Sequence, residues 1–128
     1  MNRKGPRDGR TFGARFKDLR IHLGITLRSF CEENALDPGN MSKLERGILP
    51  PPQSQAILTR YALALKLKKG STEWYEFFDW AAAEAGMIPK DLQDQEVLHR
   101  LPVLFRTLRG TKLSHKQLDE LIERLRSE

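Results

Sequence analysis

Apolar residues recur at three- and four-residue spacing along nearly the whole chain, and no stretch alternates apolar with polar, so the periodicity predicts helices and no strand. The first predicted helix opens after Thr11 as its cap, turns Phe12, Phe16, Leu19 and Leu23 inward and stops at Gly24. A second opens after Thr26 and runs to about Asn34, with Leu27, Phe30 and Cys31 inward. The turn Ala35-Leu36-Asp37 follows, and Asp37 caps a third, short helix whose first-turn Pro38 loses nothing by lacking an N–H. Met41, Leu44 and Ile48 are expected on one face of it, with Gly47 as its stop. Three prolines, Pro50 to Pro52, make a stiff crossing to a fourth helix, which opens at Ser54 and carries Ile57, Leu58, Tyr61, Ala62 and Leu65 as its apolar stripe.

Lys68-Lys69-Gly70 marks the expected boundary between two halves. Beyond it, Ser71 or Thr72 caps a helix holding Trp74, Tyr75, Phe77, Phe78 and Trp80, closed by Gly86 and Pro89. A further helical segment runs from about Gln95 to Arg109, and Pro102 is expected to kink or split it. Ser114 with Gln117 forms a capping-box pattern ahead of Leu118, Leu121, Ile122 and Leu125 at i, i+3, i+4 and i+7. The first ten residues, with two glycines, a proline and almost nothing apolar, read as a flexible arm. The expected organisation is therefore all-α: an arm over 1–10, a helical domain over 11–69 and a helical region over 70–128.

Composition narrows the class of function. Of 128 residues, 39% are hydrophobic and 30% charged, which supports one modest core. No run approaches the roughly 20 apolar residues of a membrane span, and the N-terminus has no apolar signal core. A single cysteine, Cys31, excludes an internal disulfide and a cysteine zinc cluster, so a reducing cytoplasmic compartment is expected. Charge is unevenly spread. Residues 1–10 carry a net +3 and residues 11–67 another +3, whereas 68–128 carry −1. A basic arm on a basic domain is the electrostatic footprint of a polyanion binder, nucleic acid ahead of membrane.

Two helices of about eight residues joined by a tight turn, with one helix before and one after, make a helix-turn-helix unit. On these residues the stretch Phe12 to Leu67 (56 of 128 residues) resembles the phage-repressor-like helix-turn-helix family, Cro/cI or XRE. The motif MSKLERG (Met41 to Gly47) carries most of the likeness, with GITLRSF at the second helix and YALALKL at the end of the fourth. The chain departs from the family pattern at Cys31, where a small residue is usual, and at Asn34-Ala35, where an aliphatic residue and a glycine are common. The resemblance implies a lambda-repressor-like bundle of four to five helices, a small helical C-terminal region, and double-stranded DNA as partner.

The helix face then assigns roles. If Met41, Leu44 and Ile48 point inward, Gly39, Ser42, Lys43 and Arg46 point away together. In a major groove Lys43 suits guanine O6/N7, Ser42 suits several edges, and Asn40 at the rim of the face suits adenine. Pro38 and Gly39 leave little bulk, so the helix end can sit close to the bases. Phosphate contacts are expected from helix starts and nearby cations: Thr26, Arg28, Arg46, Gln53 and Ser54. Glu45 is expected to be structural, paired with an arginine of its own domain. By the same resemblance, Arg3, Lys4, Arg7 and Arg10 form a DNA arm that wraps the duplex or enters its minor groove.

No catalytic, metal or cofactor site is legible. His22, His99 and His115 are scattered, Cys31 is expected to be buried, and the early glycines follow no strand. The aromatic residues Trp74, Phe77, Phe78 and Trp80 read first as core, yet they cover so much of their helix that a second, interfacial surface is expected. Leu118, Leu121, Ile122 and Leu125 are the other candidate interface. The expectation is a homodimeric transcriptional repressor on a palindromic operator. The alternative is an antitoxin that holds a toxin protein with its C-terminal half and represses its own operon.

Overall fold

The computed structural model describes residues 10–111 and 113–127, and Arg3, Lys4 and Arg7 of the expected arm lie outside them. The described residues hold seven α-helices and no strand: α1 (Phe12–His22), α2 (Leu27–Asn34), α3 (Pro38–Glu45), α4 (Gln55–Ala64), α5 (Thr72–Ala85), α6 (Gln95–Thr111) and α7 (His115–Arg126), with a 3-10 turn at Lys90–Leu92. None is long and apolar enough to cross a membrane. The chain divides into two units, Met1–Pro89 and Lys90–Glu128.

Side-chain caps start the helices of the first unit. Thr11, Thr26, Asp37, Ser54 and Ser71 each accept a hydrogen bond from the backbone N–H three residues on, satisfying one of the donors that a helix start leaves over. The helices close around an aromatic centre in which Phe16, Phe30 and Phe77 are fully buried. Phe16 meets Phe30 and Tyr61 edge-on at 5.7 and 5.5 Å, and Phe12 meets Phe77 at 5.0 Å.

α5 belongs to this unit, which moves the boundary expected after Lys69 to Pro89. The Phe12 N–H, unused at the start of α1, donates to Glu84 Oε1 of α5 at 2.7 Å. The Arg15 guanidinium lies 4.5 Å above the Trp80 ring. The aromatic arc of α5 is therefore largely used inside the unit. Trp74 and Phe77, expected at an interface, are buried, and Phe78 and Trp80 pack partly buried against the same core. Tyr75 is the aromatic that α5 leaves exposed.

Three inward assignments are corrected. Leu23, Ile48 and Ile57 are exposed, the first two because each extends a helical period past the end of its helix. Leu23 is already the C-cap of α1. Ile48 follows Gly47, whose φ of 79° turns the chain off the α3 axis. Ile57 sits in the first turn of α4, to one side of the arc that buries Leu58 and Ala62. The third buried residue of α3 is Glu45.

In the second unit α6 runs unbroken through Pro102, which neither splits nor ends it. Pro102 is exposed, so water can take up the carbonyl left without its helical donor. At the start of α7 both bonds of the capping box form, Gln117 N–H to Ser114 Oγ at 3.2 Å and Ser114 N–H to Gln117 Oε1 at 2.8 Å. No described residue of α6 or α7 is fully buried.

Candidate nucleic-acid interface

α3 is eight residues long, too short to hold its shape alone, and its environment defines its direction. Three contacts do so. Arg20 of α1 grips Glu45 at the end of α3 with two hydrogen bonds, Nε to Oε2 at 2.7 Å and Nη2 to Oε1 at 2.9 Å. Its remaining Nη1 donates to the Ile25 carbonyl at 2.8 Å, so one buried guanidinium joins α1, the loop after it and α3. The bond to Glu45, with burial opposing, raises the Arg20 pKa above its ordinary value. This pair bears out the structural role expected of Glu45 and identifies the arginine.

The second contact is a close approach of backbones. Gly13 of α1 lies against the Leu44 carbonyl, and a Cβ added at Gly13 would stand 1.7 Å from that oxygen. Only glycine permits this crossing of α1 and α3. The third contact secures the turn between α2 and α3. Ala35 adopts a left-handed conformation (φ 55°, ψ 47°) that disfavours residues with a Cβ. Arg60 Nη2 of α4 donates to the Asn34 and Ala35 carbonyls, both at 3.0 Å, and so takes up acceptors at the C-terminal end of α2.

With Met41, Leu44 and Glu45 buried, the opposite face of α3 meets solvent. Pro38, Gly39, Asn40, Lys43 and Arg46 are exposed, and Ser42 is half-buried. Both carboxylates of the segment are engaged: Asp37 Oδ2 accepts from the Asn40 N–H at 2.8 Å and Glu45 holds Arg20. The exposed face thus presents two cations, Lys43 and Arg46, against one exposed carboxylate, the capping Asp37, and is net positive. Arg46 Nε also reaches back to the Ser42 carbonyl at 3.3 Å, which draws its side chain along the helix end.

The expected phosphate ligands sit at helix starts. Thr26 and Ser54 are the caps of α2 and α4; their oxygens accept from Ser29 and Ile57 N–H at 3.1 and 3.3 Å. A capping hydroxyl still has its own hydrogen to donate, so this use is compatible with an anion beside the helix. Arg28 and Gln53 are exposed next to them. Arg10, the one arm residue described, pairs with Asp18 on α1. Neither Arg60 nor Gly13 was marked by the sequence pattern. Arg60 acts on residues 25 and 26 positions away, and its spacing carries no sign of that. A glycine inside a helical period was the visible signal for Gly13.

Two groups, Cys31 in the core and the partly buried Tyr61 beside it, have their protonated forms favoured. Burial, helped by the charges of Glu45 and Asp37, pushes the Cys31 thiol up from its ordinary pKa, and burial likewise raises Tyr61. Comparison with protein-family models, with curated proteins and with solved structures finds no match to this chain.

Proposed function

We propose that the chain is a sequence-specific double-stranded DNA-binding transcriptional regulator, a repressor whose first unit is a lambda-repressor-like helix-turn-helix bundle. α3 lies in the major groove with Pro38, Gly39, Asn40, Ser42 and Lys43 toward base edges. Thr26, Arg28, Arg46, Gln53 and Ser54 meet phosphates, and the basic residues before Thr11 add electrostatic attraction. Two copies read the two halves of a palindromic operator.

The observation that carries this proposal is the exposed face of α3. It is small at its N-terminal end, net positive, without an unengaged carboxylate, and fixed by Arg20–Glu45, Gly13 and Arg60. A merely solvated helix face needs no such support at both ends.

Lys43→Ala tests it. In a titration of variant duplexes, loss of a base-edge contact costs about 1–3 kcal/mol and relaxes preference at one base pair. An equal loss on every duplex would make Lys43 a phosphate ligand and remove it from sequence reading.

A further inference from the structure

The second unit presents apolar surface that its own helices leave uncovered. On α6, Leu98, Leu101, Phe105 and Leu108 follow at three- and four-residue spacing, and Leu98 and Phe105 are exposed. On α7, the stripe Leu118, Leu121, Ile122 and Leu125 is exposed throughout, from 36% at Leu118 to 70% at Leu125. A twelve-residue helix such as α7 is marginal in water without a packed face.

The α7 stripe has a property that selects its occupant. Its spacing, Leu-x-x-Leu-Ile-x-x-Leu, reads the same in both directions. A two-fold axis between Leu121 and Ile122 of an antiparallel pair sets Leu118 beside Leu125 of a second copy and Leu121 beside Ile122. The same axis brings Asp119 near Arg126 of the second copy on one flank, a contact made twice. Such a surface is complementary to itself, as an isologous interface requires.

Area supports the same occupant. Taking roughly 150–200 Å² for a large apolar side chain, the α7 stripe leaves on the order of 300–400 Å² per chain, and the exposed α6 leucines and Phe105 bring this to about 600 Å². Two copies then bury about 1,200 Å², where stable interfaces begin. α7 alone falls short, so both helices take part.

We propose that α6 and α7 pair with the same helices of a second copy to form a four-helix interface, with the α7 helices antiparallel. This deepens the proposed function, which needs two recognition helices, but the test is made without DNA and stands or falls apart from it. Sedimentation equilibrium of the full chain, at concentrations on the order of 1–100 μM, should show a dimer. Leu121→Glu with Ile122→Glu should weaken association at least 100-fold, while the near-ultraviolet signal of Trp74 and Trp80 in the first unit stays unchanged. Asp119→Arg should weaken it about 10-fold, and adding Arg126→Asp should restore it. A wild-type chain that stays monomeric overturns the proposal, as does a dimer indifferent to the Leu121 and Ile122 changes. A charge-exchanged double variant no tighter than Asp119→Arg alone overturns the antiparallel pairing.

Discussion

Glu45→Ala is the perturbation whose consequence the structure states most sharply. The side chains of Arg20 and Glu45 are 9% and 4% exposed, so the pair has little access to water. Removing the carboxylate leaves Arg20 charged, buried and keeping only its bond to the Ile25 carbonyl. Breaking one side of a buried pair costs about 3–5 kcal/mol, far above the 0–1 kcal/mol of a surface bridge. For a unit of this size each kcal/mol moves the midpoint by roughly 4–8 °C, so about 12 °C or more should be lost. Urea unfolding followed by tryptophan fluorescence reads the change directly, since Trp74 and Trp80 both lie in the first unit. Replacing both partners separates burial of an orphaned charge from lost packing. Arg20→Met with Glu45→Leu removes both charges, and such replacements are often neutral or stabilising; the unpaired Ile25 carbonyl subtracts about 1 kcal/mol. The double variant should therefore be more stable than Glu45→Ala by about 2 kcal/mol or more. A loss below about 1 kcal/mol for Glu45→Ala, or a double variant no better than the single, refutes the reasoning.

Other consequences are open to the same measurements. Gly13→Ala forces a methyl into the Leu44 carbonyl, and with backbone on both sides neither helix can yield cheaply; a loss of about 3 kcal/mol in urea unfolding is expected. Ala35→Gly relieves about 1–2 kcal/mol of left-handed strain and returns part of it to the freer unfolded chain, so a net gain of about 0.5–1 kcal/mol should appear as a higher urea midpoint. Because the folded state raises the pKa of Cys31 and Tyr61, the unfolded chain gives up these protons first. Their contribution is complete at neutral pH and is lost as pH rises through the folded values, so stability should decline on the alkaline side. Cys31 should also react with a thiol reagent at neutral pH only as fast as the unit opens.

Local chemistry made the caps legible. Thr11, Thr26, Asp37, Ser54 and the Ser114–Gln117 box act within three residues, and their residue types state what they do. Periodicity serves until the helices end: the spacing that turns Leu23 and Ile48 inward continues past the cap of α1 or the glycine after α3. The limit of the first unit falls at Pro89 rather than after Lys69 for a different reason. Lys68-Lys69-Gly70 is a good local break, but whether α5 joins the unit depends on Glu84 reaching Phe12 and on Trp80 lying under Arg15, contacts 72 and 65 positions apart. Of the candidate interface, the exposed face of α3 followed from its buried one. What fixes that face did not, because Arg20, Gly13 and Arg60 act across helices.

The central claim is that α3 reads base sequence in duplex DNA. Selection of bound sequences from a random duplex library, with the purified chain at physiological salt, tests it most directly. The account predicts an inverted repeat whose half-sites lie about 10–10.5 bp apart, with preference at one position erased by Lys43→Ala. Recovery of no motif, with binding that vanishes as salt is raised, would contradict it.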